Sequence, residues 1–264
     1  MTRVLVTGGT GRIGRPVVER LRELDCDLRV LSHTRAGTID GVEYVRADLV
    51  RDEGTGEALR GAEIIIHCAG AMKPGADQAI TANLIRSARW LDREPHLVKI
   101  SVVGADRVPV GRGLSKAMFG YFESMRITER AIETSGLPWT ILRATQFFDA
   151  MALVARVLAR LPVIPVAAGT RFQPVDSGEA AGRLVELALA APSGLAPDLG
   201  GPVAYPMADL IAGYLRAGGK RRPLLPVRLP GTIARVVREG ANLPDQGATL
   251  GKRTWEDFLR ELPS

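Results

Sequence analysis

The sequence predicts an α/β protein: a doubly wound parallel sheet followed by a smaller carboxy-terminal α/β lobe. Three observations lead there. Short apolar runs alternate with helical stripes through the first 150 residues, as in a parallel sheet covered on both faces. One run, Ile64-Ile65-Ile66, is apolar without a break, the mark of a strand buried on both sides. Beyond about residue 150, prolines from Pro162 to Pro230 punctuate shorter elements. The expected division is therefore 1–150 and 151–264, with substrate specificity assigned to the second part.

The first strand is Val4-Leu5-Val6, and Thr7-Gly8-Gly9-Thr10-Gly11-Arg12-Ile13-Gly14 follows it. The spacing fits G-x-G-x-x-G as Gly9, Gly11 and Gly14. It also fits T-G-x-x-G-x-x-G as Thr7, Gly8, Gly11 and Gly14. One glycine permits a tight turn, one lets a pyrophosphate approach the main chain, and one lets the new helix pack on the strand. Set between a strand and a helix, this is the dinucleotide turn of a Rossmann sheet. The opening N–H groups of the helix then face the phosphates.

Residues 16–24 carry Val17, Val18, Leu21 and Leu24 at helical spacing. Residues 28–31 form a second strand, and 42–45 a third that ends in Ala47-Asp48-Leu49. A polar helix over 52–60 leads to a fourth strand over 62–66. A helix over 77–91 and a fifth strand over 96–101 come next. A long helix over 115–134 stops at Ser135-Gly136, a carboxy-terminal cap signal, and 138–143 gives a sixth strand. The second part is expected to hold helices over 148–161, 177–190, 207–217 and 231–239.

Composition narrows the class. Of the 264 residues, 46% are hydrophobic and 24% charged, the balance of an ordinary globular protein. No stretch approaches the ~18 apolar residues that span a bilayer. The first strand begins beside Met1, so no leader is expected. Cys26 and Cys68 are too few for a disulfide framework, which points to a reducing, cytoplasmic setting. The net charge of +6 comes mostly from scattered arginines. Lys220-Arg221-Arg222 is the one dense cluster, and no nucleic-acid motif accompanies it. It is either a solvated loop or a contact for an anion. Neither nucleic acid nor a membrane is expected as a partner. The three histidines, His33, His67 and His96, lie in unrelated elements, so no metal site is expected.

The end of the second strand bears on which dinucleotide would bind. An NAD site places an acid there, about 20 residues past the glycines. Here the sequence reads Ser32-His33-Thr34-Arg35. Arg35 would pair with a 2′-phosphate, with Ser32 as a donor and Arg12 as a second positive charge. Otherwise Arg35 is a solvated loop arginine. The reading favours NADP(H) over NAD(H). Asp48 is placed to accept from an adenine amino group, with Leu49 beside it. Cys68-Ala69-Gly70 is small enough for a ribose to approach, and His67 reads as a core histidine.

These residues, with Ile100-Ser101-Val102-Val103-Gly104 and the run from Gly136 to Phe147, resemble an NmrA-like atypical short-chain dehydrogenase/reductase. The resemblance also reaches Phe172-Gln173-Pro174-Val175-Asp176 and so covers nearly the whole chain. It implies a serine at the end of the fifth strand, Ser101, and a Tyr-x-x-x-Lys pair on the next helix. The tyrosine falls on Tyr121, but the lysine position is Met125. A thioether cannot stabilise a tyrosinate. Lys116 and Arg126 lie off that helix face, since positions four apart share a face and their neighbours do not. Ser101 and Tyr121 are thus either catalytic or structural.

Three activities remain open from the resemblance. The first is an NADPH-dependent reductase for an electron-poor acceptor such as a quinone or enone. Val102 and Thr145 would then lie against the cofactor. Val103, Gly104, Gln146, Phe147 and Phe148 would line the substrate, with Met118 and Phe119 as further apolar candidates; each of these aromatics and methionines has core packing as its other reading. The second is an NADP(H) redox sensor acting through a protein partner, and the third a redox-neutral enzyme on the same fold. Oligomeric state is left open.

Overall fold

A computed structural model describes residues 1–70, 75–109 and 114–262, with the side chains of 114–119 outside the description. The expectations for Lys116, Met118 and Phe119 therefore lie outside the described residues. The chain forms two compact units and passes between them more than once. The first comprises Met1–Ser101, Ser124–Leu142 and Gly178–Ala196; the second comprises Val102–Glu123, Arg143–Ser177 and Pro197–Ser264.

The chain opens with β1 (Arg3–Thr7), α1 (Gly14–Arg22) and β2 (Asp27–Ser32), then β3 (Gly37–Ile39) and β4 (Val42–Arg46). Next come α2 (Thr55–Leu59), β5 (Ile64–His67), α3 (Ala76–Ala88), β6 (His96–Val102), α4 (Leu114–Glu133) and β7 (Trp139–Ala144). The sheet of the first unit runs β7-β6-β5-β1-β2-β4-β3. β1 pairs in parallel with β2 and β5, β2 with β4, and β5 with β6. β1 is thus where the strand order reverses, and ligands of open α/β sheets bind outside the strand ends at such a point.

Register aligns those ends. Thr7 lies opposite both Leu31 and His67, and His67 lies opposite Lys99. Leu5, Ile65, Leu97 and Ile141 form an apolar layer with Leu59 of α2, Ile80 and Leu84 of α3, and Ile132 of α4. Two residues further along, the same sheet face turns polar: Leu5 gives way to Thr7, Ile65 to His67, and Leu97 to Lys99 and Ser101.

Two local departures have plain causes. β3, absent from the sequence expectation, pairs antiparallel with β4 through a two-residue turn at Asp40-Gly41. Both turn residues have positive φ, +50° and +78°, as a type I′ hairpin requires. The helix expected over 52–60 shrinks to α2. Glu53 is held in a backbone bridge to Asp48, and Gly54 turns at φ +71°.

Later elements are α5 (Phe148–Leu158), β8 (Ile164–Ala167), β9 (Arg171–Phe172) and α6 (Ser177–Leu189). Then follow β10 (Gly194–Leu195), β11 (Leu199–Gly200), β12 (Tyr205–Pro206) and α7 (Met207–Ala217). The chain closes with β13 (Leu224–Val227), α8 (Thr232–Arg238), β14 (Thr249–Leu250) and α9 (Trp255–Arg260). β10 and α6 belong to the first unit, where β10 pairs with β7. In the second unit, α5 and α7 pack on the parallel pair β8–β13 through Ala155, Ala159, Ile164, Ile211 and Leu215.

A second cluster of that unit joins Phe148, Met151, Leu210 and Trp255. The Trp255 ring lies 5.8 Å from that of Phe148 and 5.2 Å from that of Phe258, and its indole N–H donates to the Leu210 carbonyl at 3.2 Å. α9 begins in a capping box. Thr254 Oγ1 accepts from Asp257 N, and Asp257 Oδ2 accepts from Thr254 N, so two otherwise orphaned amides are satisfied. Trp255→Ala is expected to cost ~3–5 kcal/mol, as for other fully buried aromatics. Urea unfolding measures it, and a loss under about 1 kcal/mol would show that this cluster is not a core.

Candidate dinucleotide site

The turn after β1 is built on close backbone approach. Gly8 sits at φ +70°, and a Cβ on it would lie 2.6 Å from the Ala69 nitrogen. A Cβ on Gly14 would overlap the Gly8 carbonyl oxygen, and one on Gly9 would lie 2.7 Å from Val30 Cγ1. Gly11 N donates back to Gly8 O at 2.9 Å. The first turn of α1 is thereby pressed onto the turn that precedes it. Ile13, its N-cap, is buried and supplies no side-chain cap. Arg15 N donates to Gly11 O at 3.1 Å and Pro16 has no N–H, so the amides left for a ligand are those of Ile13 and Gly14, which suits a phosphate. Thr10 and Arg12 stand exposed at the rim.

On the side where the sequence expects adenosine, side chains fold back onto their own loops. Ser32 is buried, and its Oγ accepts from the amides of Thr34 at 3.3 Å and Arg35 at 3.1 Å. It shapes the loop that carries His33 and Arg35. The Arg35 guanidinium lies 5.5 Å from the centre of the Tyr44 ring. Asp48 Oδ1 accepts from Val50 N at 2.8 Å and Arg51 N at 3.1 Å, with His33 Nε2 at 3.9 Å. Partial burial pushes the Asp48 carboxyl up, but those amides and the His33 and Arg51 side chains hold it below its ordinary value. The Leu49 side chain belongs to the apolar layer, and its carbonyl accepts from Asn83 Nδ2 at 2.7 Å.

Toward β5 the partners are buried. Thr7 Oγ1 lies 2.7 Å from His67 Nδ1 and accepts from Ala69 N at 3.3 Å; His67 Nε2 lies 3.3 Å from Thr81 Oγ1. Burial, with Lys99 nearby, pushes His67 well below its ordinary value. It is a neutral core histidine that ties β1, β5 and α3 together. Cys68 is not an activated thiol, because burial pushes it up to about 12 against the pull of Lys99. Ala69 and Gly70 keep backbone at the loop surface.

At the end of β6, Ser101 is buried and its Oγ donates to Glu129 Oε1 at 2.7 Å. Arg126 Nη1 donates to Glu129 Oε2 at 3.1 Å and to Glu133 Oε1 at 2.8 Å. The Ser101 proton is therefore committed to a buried carboxylate, and Arg126 is turned along its own helix. Met125 is buried. Tyr121 is 57% exposed and stacks edge-on with Phe122 at 6.4 Å. Ser101 belongs to the first unit and Tyr121 to the second.

The remaining expected residues lie in the second unit. Thr145 is buried and donates from Oγ1 to Gln173 O at 2.6 Å. Val102 and Val103 are buried, and a Cβ on Gly104 would overlap the Ala241 carbonyl. Phe147 is half-buried and serves as the N-cap of α5. Gln146 Oε1 is buried without a partner among the described residues. Phe148 is 1% exposed, and its ring packs against both Trp255 (5.8 Å) and Phe258 (5.4 Å). Its core reading is the one realised.

Sequence reasoning missed Lys99. It is 2% exposed, and among the described residues no hydrogen bond or close ion pair holds its ammonium. Burial pulls it down to about 8, against the opposing pull of Asp77, Cys68 and Glu129. The signal was a single charge inside the apolar strand Leu97-Val98-Lys99-Ile100. Because the unfolded lysine holds its proton to higher pH, the unfolded state binds more protons between about pH 8 and pH 10.5. Stability contributed by this group therefore rises with pH across that window. Wild type is expected to gain about 2–3 kcal/mol relative to Lys99→Met from pH 7.5 to 10.5. Chemical denaturation at both pH values measures it; a constant difference would contradict the buried charge.

Comparison with known proteins agrees with this geometry. Residues 8–161 match a family model described as NAD(P)H-binding. Over 152 residues the chain is 28% identical to the (4-alkanoyl-5-oxo-2,5-dihydrofuran-3-yl)methyl phosphate reductase of Streptomyces griseus, covering 55% of this chain and 48% of that protein. The chain thus spans about half the length of that curated relative. Two solved structures share the fold at low identity. A nucleoside-diphosphate-sugar epimerase from Staphylococcus aureus has a TM-score of 0.78 at 17% identity, over 99% of this chain and 100% of that one. An NADPH-dependent quinone oxidoreductase from Escherichia coli, complexed with NADPH, has a TM-score of 0.77 at 18% identity, over 97% and 98%. The resemblance to NmrA-like atypical short-chain dehydrogenase/reductases is consistent with all of these. With more than half of its length matched and its glycine turn intact, the chain belongs to the NAD(P)H-binding family.

Proposed function

We propose that this protein binds NADP(H) on the turn Gly8–Gly14 and passes hydride from NADPH to an electron-poor small molecule such as a quinone or enone. The observation that carries the reading is the glycine turn itself. Its side-chain-free backbone touches the Ala69 loop on one side and the start of α1 on the other. That leaves the Ile13 and Gly14 amides and a positive helix end to meet the phosphates.

NADP(H) is favoured over NAD(H) because no acid ends β2, and Ser32 holds the loop that carries Arg35. Arg35 leaves the Tyr44 face in this reading and pairs with the 2′-phosphate. Bound NADPH would supply the hydride. The chain's own contribution is mostly positioning, since Ser101 has its proton on Glu129 and Met125 offers no charge. Acceptors that need little proton assistance suit such a site. The same Ser101–Glu129 bond supports a second reading, an NADP(H) sensor without turnover.

Calorimetric titration with NADPH, NADP⁺, NADH and NAD⁺ tests the cofactor. NADPH should bind more tightly than NADH. Arg35→Ala should weaken NADPH by ~1.5–3 kcal/mol while leaving NADH nearly unchanged. Equal losses for both would remove Arg35 from the 2′-phosphate. NADPH oxidation with a panel of quinones and enones then separates the two readings. Turnover is the expected result and would end the sensor reading; no turnover with any acceptor would count against the reductase.

A further inference from the structure

Lys99 is the buried cation that the positioning account leaves unused. It lies on β6 within a cluster of titratable groups from β5, its following loop, α3 and α4. β5 and its following loop bring His67 and Cys68, α3 brings Asp77, and α4 brings Glu129 with Arg126 behind it. Residues 139–142 of β7 bring no titratable side chain. Asp77 is held by Ser124 Oγ at 3.0 Å, and Glu129 by Ser101 and Arg126. The carboxylates therefore have partners of their own, whereas the ammonium has no hydrogen-bonded one among the described residues. An unpaired buried cation is costly, and nothing in the apolar layer below it uses the charge.

Its place in the sheet suggests the use. Lys99 lies level with His67 and Thr7, one strand beyond the β5 loop that touches Gly8. β1 is the point where the sheet order reverses, so a dinucleotide centred there extends to both sides. If the adenosine half takes the β2 and β4 side, where Arg35 and Asp48 stand, the nicotinamide half falls over β5 and β6. The oxidised ring is a cation and the reduced ring is neutral.

We propose that the Lys99 ammonium is the group by which this site distinguishes the two redox states of the cofactor, disfavouring the cationic oxidised ring until the lysine gives up its proton. The inference rests on the dinucleotide reading above. Two like charges in one partly buried site change affinity by about tenfold or more. The burial that brings Lys99 down to about 8 puts the change within reach of ordinary buffers. By linkage, the oxidised form should release a proton on binding near pH 8, and the reduced form should not.

The test is the ratio of NADP⁺ to NADPH dissociation constants, measured calorimetrically at pH 6.5, 8 and 9.5. The 2′-phosphate is common to both forms, so its ionisation cancels in the ratio. In wild type, NADP⁺ should tighten about tenfold relative to NADPH as pH rises. Lys99→Met should show the tighter NADP⁺ binding already at pH 6.5 and lose the dependence. Lys99→Gln serves if the methionine variant does not fold, and the wild-type series alone carries the prediction if neither does. A ratio that stays flat with pH in wild type, or is unchanged in the variants at pH 6.5, overturns the proposal. If neither form binds at any pH, the dinucleotide reading falls as well, a result distinct from binding of both forms without discrimination.

Discussion

The site depends on one close approach, that of the start of α1 to the turn after β1. A single methyl at Gly14 would occupy the space of the Gly8 carbonyl oxygen, and one at Gly8 would press on the Ala69 nitrogen. Removing side chains at both points lets helix, turn and the β5 loop meet through backbone alone. The amides at the opening of α1 then stand where β1, β2 and β5 end together. The aligned register makes this edge one surface rather than separate loops. The register levels Thr7 with Leu31 and His67, so the segments carrying Arg35, Asp48 and Cys68–Gly70 follow strand ends at one edge.

The second constraint is chemical. On the face covered by α3 and α4, the sheet is apolar up to Leu5, Ile65 and Leu97 and polar immediately beyond. Thr7, His67 and Thr81 satisfy one another, and Ser101, Glu129, Arg126 and Glu133 do the same. Such a network fixes the edge firmly, but it uses the serine hydroxyl that the family resemblance would assign to catalysis. Methionine at 125, buried on α4, offers no charge where the family resemblance implies a lysine. In the proposed reductase reading, catalysis rests on holding the reactants, and the proposed charge control rests on Lys99.

Much of this was legible in the sequence, and the failures are instructive. The glycine turn could be read because each glycine answers a separate steric demand within eight residues. α7 matches its expected span of 207–217, since its apolar stripe is regular. The β3–β4 hairpin carried its own signal in Asp40-Gly41, and α9 carried one in Thr254 followed by Asp257. β3 and α9 are too short to show periodicity and were not expected from the sequence. The β8–β13 pair joins residues 60 positions apart, Ile164 with Leu224, and no local pattern records such a pairing. Leu49 and Phe148 illustrate another limit. Sequence placed them beside the site, and their membership of core clusters in the folded chain is set by distant residues that no local pattern records. Lys99 was visible as a letter, yet its meaning depends on the helices that close over it.

The most direct test of the account is amide hydrogen exchange with and without NADPH, resolved to short peptides. The account predicts slowed exchange over residues 10–14 and in the peptide spanning 68–70, where the turn, the helix start and the β5 loop meet. Binding detected by calorimetry with unchanged exchange in both segments would contradict it, because the cofactor would then sit somewhere other than on the glycine turn.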